Sequence, residues 1–411
     1  MKRSFLFLQG CTSPFFPRLR DRLVTLGYQV YRVNFNAGDA VYWGTRPAWN
    51  FRESVDQLPG YLEQKFQSLG ISDVVMLGDT RPVNRPALAL ATKYGARLHI
   101  LEEGYFRPNW LTLEEGGING YSPLPKDPDW YRIAGKLVPE YGAGEAVFNP
   151  IYLLGLHDAY YHLPNLMNPL LYWGYRTHRP HISGLEFYGW AKRFAKMRYF
   201  EHRDNQAIDK LLGSTKPFYI LPLQLNSDSQ IKEHSSSRGI PFMIKQVINS
   251  FFRHAPDNTC LVIKNHPLDT GFIDYAQWIL RLQSRLNLEG RILYIETGDL
   301  PKLLESALGV VTINSSVGTS ALAHACPTIA LGDAIYDIPG LTFQGDLDDF
   351  WVNCEPPDQQ LFASFRNTVI HTAHVNGGFY SQAGIEMGIT NCCRRLEKNI
   401  SPLGELLKMT N

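Results

Sequence analysis

The feature that most constrains this chain is an alternation. Short β-branched or apolar runs end in polar, small-residue loops, and each loop leads into a stretch with helical apolar spacing. In the first block the runs are Ser4–Leu8, Tyr28–Phe35, Asp73–Leu77 and Arg97–Leu101, with helices predicted over Phe15–Leu26, Leu58–Leu69 and Arg85–Tyr94. In the second they are Phe218–Leu223, Cys260–Lys264, Arg291–Ile295, Val310–Ile313 and Ile329–Gly332, with helices over Ile244–His254, Tyr275–Leu286 and Leu300–Ser306. Continuous apolar runs suit parallel strands, which are covered on both faces. The pattern predicts an α/β fold with two facing Rossmann-like domains, residues 1–150 and 211–375. A helical insert (151–210) lies between them and a helical tail (376–411) follows. Such sheets place ligands beyond the carboxyl ends of their strands, so the polar loops are the candidate site and are expected to meet in one cleft.

Several classes are disfavoured at once. Formal charges nearly cancel at +1, which gives no global attraction to nucleic acid. The first strand-end loop, Gln9-Gly10-Cys11-Thr12-Ser13-Pro14, lacks GxGxxG, and Asn314-Ser315-Ser316 lacks the lysine of a Walker loop. The six cysteines are scattered without a CxxC pair, which suits a reduced, cytoplasmic setting. No ligand set for a metal stands out among the histidines. The apolar part of FLFLQG is too short for a signal peptide, and no apolar run approaches the ~20 residues that span a bilayer. The expectation is a soluble protein that rests on a membrane surface.

Four strand-end segments carry the chemistry. Glu102-Glu103-Gly104-Tyr105-Phe106-Arg107-Pro108 puts adjacent carboxylates at a strand end, where mutual repulsion would favour a proton on one and suit acid or base work; a helix cap or solvated turn is the plainer alternative. Gly104 permits a close approach there, and the glycine-rich stretch 111–120 is expected to be a loop lining the same cleft. Asn265-His266-Pro267 offers a histidine able to donate to a phosphate oxygen, with Pro267 fixing the turn; a surface histidine is the competing reading. Ser315 and Ser316 open a helix whose free N–H groups suit an anion or a plain serine cap. The strand-end segment Gln224–Ile231 contributes Gln224 and Asp228, the latter also readable as an Asx turn. From Ile151 to Asn205, Tyr160, Tyr161, Tyr172, Trp173 and Trp190 interleave with Arg176, Lys192, Arg193 and Lys196, a composition suited to a membrane–water boundary or to interdomain packing.

LEEGYFRPNWLTLE, LPLQLNSDSQI, IKNHPLD and INSSVGTSALAHACPTIALGDAIYDIPGLT, together with FLFLQGCTSPFFPRLRDRLVTLGYQVYRVNFNAGD at the start, closely resemble capsular polysaccharide biosynthesis proteins of the KpsS/LipB type. The resemblance implies a GT-B arrangement and a β-Kdo glycosyltransferase. Such an enzyme uses CMP-β-Kdo, without a further cofactor or metal, to place the first Kdo on lysophosphatidylglycerol or a similar anionic lipid, starting the linker that anchors a Gram-negative capsule. It further implies the cytoplasmic face of the inner membrane, a KpsC-type extending transferase and capsule export machinery as partners, and no nucleic acid. On the matched motifs, His266, Ser315 and Ser316 would hold the CMP phosphate. Glu103 would be the acid/base, with Glu102 the second candidate. Donor and product would share the β configuration, so retention implies double displacement, with Asp228 as nucleophile. Lys232, Arg238, Lys264 and Arg107 are the candidate cations for the Kdo carboxylate. Competing readings are an inverting CMP-sialic-acid-type transferase, a nucleotide-sugar 2-epimerase, and a non-catalytic assembly or export adaptor.

Overall fold

The structure, a computed structural model, describes residues 3–177, 183–225 and 239–410. Among these residues the strands are β1 (Ser4–Phe7), β2 (Gln29–Asn34), β3 (Trp49–Asn50), β4 (Asp73–Leu77), β5 (Arg97–Glu103), β6 (Trp110–Glu115), β7 (Phe218–Pro222), β8 (Cys260–Lys264), β9 (Ile292–Ile295), β10 (Gly309–Thr312), β11 (Thr328–Ala330) and β12 (His374–Asn376). They form two sheets in two compact units, the first built from Met1–Pro125, Ile133–His178 and Arg366–Asn411, the second from Lys126–Arg132 and Arg179–Phe365.

In the first unit β3, β2, β1, β4 and β5 run parallel in that order. The link 104–109 is too short for a crossover helix, so β6 returns antiparallel to β5, and β12 then pairs antiparallel with β6. Successive residues of β1 explain its unbroken apolar run. Phe5 and Phe7 face Phe15 and Leu19 of the helix Phe15–Thr25 and Ile385 and Ile389 of the helix Gln382–Leu396, whereas Leu6 joins Val74, Leu62 and Leu90 on the other face. The second unit repeats the order, β9-β8-β7-β10-β11, with every pairing parallel. Tyr219 and Leu221 of β7 pack on Val247 and Phe251 of the helix Ile240–His254, and Ile220 packs with Leu303 and Ala321. Each sheet is therefore doubly wound in the Rossmann sense, with its order reversing beside the first strand. Two Rossmann-like α/β units are what the alternating runs predicted.

The boundaries differ from those expected. The tail belongs to the first unit, because Ile385, Ile389 and Cys392 bury against Phe15 and β12 covers the edge that β6 would otherwise expose. The segment 151–210 is not one insert: its first part joins the first unit, while the helix Ser183–Leu212 joins the second. The first half of the stretch 111–120 is strand β6 rather than loop, and β5 continues through both glutamates. Among the described residues no helix is long and apolar enough to cross a membrane.

Candidate active site

At the switch point of the first unit, between β1 and β4, backbone groups leave the sheet with no strand opposite. Asn84 fills the gap: its Oδ1 accepts from Gln9 N at 3.1 Å, and its Nδ2 donates to Leu77 O at 2.9 Å and Gly78 O at 3.1 Å. One strand over, Glu102 and Glu103 are the last residues of β5 and both are half-buried. Neighbouring strand residues point to opposite faces, and these two do. Glu102 turns toward Gly78, where a Cβ would lie 3.4 Å from its Oε2; Glu103 lies opposite Leu111, on the face that carries Phe15 and Phe379. Burial raises the Glu103 pKa, and the Arg107 guanidinium partly offsets it. The expected cause, repulsion between adjacent carboxylates, is thereby corrected: the strand pleat turns the two side chains apart, and desolvation favours the protonated form.

Gly104 has a steric task. Its N–H donates to Trp110 O at 3.0 Å across the mouth of the β5–β6 hairpin, and a Cβ there would come within 2.3 Å of that oxygen. The next amide, Tyr105 N, donates to His374 Nε2 at 3.0 Å. The acid-bearing strand end is thus closed by a residue without a side chain and then tied to β12.

The sequence reading missed a buried polar hub beside this edge. Tyr161 OH donates to Asp39 Oδ1 at 3.0 Å and accepts from Asn36 Nδ2 at 2.9 Å and Gln9 Nε2 at 3.3 Å. Asp39 also pairs with buried Arg32 at 3.2 Å, and Arg32 donates to Asn34 Oδ1 at 2.9 Å. The available signal was Arg32 and Asn34, polar residues flanking Val33 at the carboxyl end of a parallel strand, the half of it that is buried.

In the second unit, β8 and β10 flank β7, so the loops of His266, Gln224 and Ser315 leave one edge of one sheet. Gln224 spans the switch point, donating from Nε2 to Asn314 Oδ1 at 3.0 Å. Leu268 N donates to His266 Nδ1 at 3.0 Å, which makes Nδ1 an acceptor and leaves the proton of the neutral ring on Nε2. Pro267 is exposed and shapes this turn rather than adding a polar group. Ser315 caps the helix Ser316–Ala323, its Oγ accepting from Val317 N at 3.2 Å, so its own hydroxyl proton is left to donate. Tyr336 OH donates to Ser315 O at 2.8 Å.

A buried ionic layer holds the His266 loop from below. Arg193, 7 % exposed, donates from Nη1 to His266 O and Asp269 O at 2.8 Å each and from Nη2 to Glu296 Oε2 at 2.9 Å. Asn265 Nδ2 meets the same Glu296 oxygen at 2.9 Å, and Asp204 Oδ2 accepts from Glu296 N and Thr297 N at 2.8 and 3.0 Å. Trp190 Nε1 donates to Leu268 O at 3.0 Å. Lys264 sits within this layer, 9 % exposed, its pKa lowered first by burial and then by the Arg193 charge. Its place is therefore under the loop, with Arg193, and not at the open strand end where a carboxylate ligand was expected. Arg107 is exposed and electrostatically coupled to Glu103. Asp228, Lys232 and Arg238 lie outside the described residues. No three His, Cys, Asp or Glu side chains are gathered for a metal ion among the described residues.

A family profile described as Capsule polysaccharide biosynthesis protein matches residues 72–380. The chain is 36 % identical over 385 residues to the capsule polysaccharide modification protein LipB of Neisseria meningitidis serogroup B, covering 92 % of each chain. It is 35 % identical over 379 residues to the capsule polysaccharide export protein KpsS of Escherichia coli, covering 92 % of this chain and 97 % of that one. Among solved structures it resembles the β-Kdo 2,7 transferase of Thermosulfurimonas dismutans KpsC, with a TM-score of 0.46 and 15 % identity over 96 % of this chain and 99 % of that one, a likeness too distant to carry chemistry.

Proposed function

Because this chain belongs to the capsule polysaccharide biosynthesis family, we propose that it is a retaining β-Kdo glycosyltransferase, moving the first Kdo from CMP-β-Kdo to lysophosphatidylglycerol or a similar anionic lipid. Two doubly wound units are the parts from which GT-B transferases are built. The observation that carries the reading is the fixed tautomer of His266. With Nδ1 accepting, Nε2 carries the ring proton at the carboxyl edge of the second sheet, and the Ser315 hydroxyl and the helix that Ser316 opens leave the same edge. A leaving group with one phosphate is suited to such a set of neutral donors.

Two displacements account for retention. The Asp228 carboxylate attacks the anomeric carbon of Kdo as the bond to the CMP phosphate breaks, and CMP departs carrying the electron pair. The acceptor hydroxyl then attacks the same carbon, its proton passing to Glu103 while the ester to Asp228 breaks. Burial that raises the Glu103 pKa makes its carboxylate a better proton acceptor. Arg107 is the cation next to that acid.

The test is incubation with CMP-Kdo and lysophosphatidylglycerol, followed by mass analysis of the lipid and anomeric NMR of the product. A gain of one Kdo with β configuration is expected, and Glu103→Gln should fold normally yet lose about 100-fold or more in rate. An unchanged lipid mass with folded protein refutes the transferase reading, and an inverted anomer refutes the double displacement.

A further inference from the structure

The segment 152–173 of the first unit presents an uncharged apolar surface that takes no part in the site above. Leu156, Tyr160, Leu163, Leu166, Leu170 and Trp173 are 57–72 % exposed. From Ile151 to Tyr175 the one formally charged residue is Asp158, which is 5 % exposed. Large contiguous apolar surfaces of this kind mark contact sites. Of the basic residues that suggested an electrostatic membrane face, Arg176 is exposed three residues beyond Trp173, whereas Lys192, Arg193 and Lys196 stand on the helix Ser183–Leu212 of the second unit, where Arg193 is spent inside. What remains is leucine flanked by tyrosine and tryptophan, the side-chain chemistry of the headgroup–acyl boundary.

Beneath the surface the segment is held in place by polar contacts. Asn165 Oδ1 and Asn168 Oδ1 accept from Gly38 N and Ala37 N at 2.8 and 2.9 Å, and a Cβ at Gly38 would come within 2.3 Å of Tyr161 O. His157 meets Tyr42 OH through Nδ1 at 2.7 Å and Tyr380 O through Nε2 at 3.2 Å, and Tyr380 is an electrostatic neighbour of Glu103. The apolar segment is therefore fastened by short polar links to the helix Ala37–Trp43 and to Tyr380, whose ring feels the Glu103 charge.

We propose that residues 152–173 seat this protein in the headgroup–acyl boundary of a phospholipid bilayer, so that a lipid acceptor meets the Glu103 edge without leaving the membrane. The proposal rests on the lipid-acceptor reading, and its test uses no sugar nucleotide, so the two fail separately. The full chain is floated with vesicles of phosphatidylcholine alone and of phosphatidylcholine with phosphatidylglycerol, at about 0.1 and 0.5 M NaCl. Wild type is expected to float with both compositions at both salts. Leu163→Asp with Leu170→Asp, at two exposed positions, should lower vesicle binding at least about tenfold with an unchanged circular dichroism spectrum. Vesicles should also slow hydrogen exchange in wild-type peptides covering 152–173, a readout that needs no variant. Failure to float, binding abolished by salt, undiminished binding of a folded double variant, or unchanged exchange in 152–173 overturns the proposal. So does a lipid-free dimer, seen by light scattering, that the double substitution dissociates, since the surface would then be covered by a second copy.

Discussion

Lowering the pH should loosen the first unit through a single histidine. His374, the first residue of β12, is 2 % exposed, and its Nε2 accepts from Tyr105 N, two residues beyond Glu103. Burial, then the charges of Arg395 and Arg366, push its pKa down to about 3. The unfolded chain has the ordinary value of 6.5. As pH falls below that value the unfolded state takes up a proton that the folded state refuses, so stability is full above it and is lost progressively toward pH 3. At pH 5 the interval is ~1.5 units, worth ~2 kcal/mol at 1.36 kcal/mol per unit. Other groups titrate too, so the informative quantity is a difference: wild type against His374→Gln, which is neutral at every pH and keeps an acceptor. Urea unfolding at pH 7.5 and pH 5 should show the variant gaining ~2 kcal/mol relative to wild type on acidification. A difference that stays flat to within ~0.5 kcal/mol between the two pH values refutes the claim that His374 is held neutral.

Two further substitutions probe the second unit. Arg193→Ala leaves Glu296 without its cation and removes the guanidinium donor from the carbonyls of His266, Pro267 and Asp269, so urea unfolding should register a loss of about 3 kcal/mol or more, and a loss below ~1 kcal/mol would mean the ionic layer is dispensable. Gly318→Ala sets a Cβ within 2.3 Å of the Tyr336 ring; a melting-temperature drop corresponding to ~1–3 kcal/mol is expected, together with weaker CMP binding as Tyr336 releases Ser315 O, and an unchanged melt would show that the ring yields freely.

The strands Asp73–Leu77 and Cys260–Lys264 have the same limits in sequence and structure, because buried parallel strands are unbroken apolar runs bounded by polar loops. The strand-end positions of His266, Glu103 and Ser315 were legible for the same reason: each stands where such a run stops. β6 was obscured by the glycines that follow it, although Leu111 and Leu113 alternate with Thr112 and Glu114 in the period of a strand. Its Glu114 is buried with its pKa raised to about 7 by desolvation, accepting from Tyr105 OH and Ser122 Oγ, and no local pattern announces such a site. Arg193 was hidden among similar neighbours. A helix rich in lysine and arginine does not say which one turns inward, and that choice is made by the Glu296 and His266 loops, contributed from far along the chain.

The first unit is closed by residues that a ribosome adds only after the whole second unit has been made. Until β12 and the helix Gln382–Leu396 arrive, β6 has a bare edge and Phe15 lacks its cover, so the nascent amino-terminal half exposes strand edge and apolar surface throughout synthesis of the second unit. A stop codon before residue 374 would accordingly do its damage at the opposite end of the polypeptide, around Glu103.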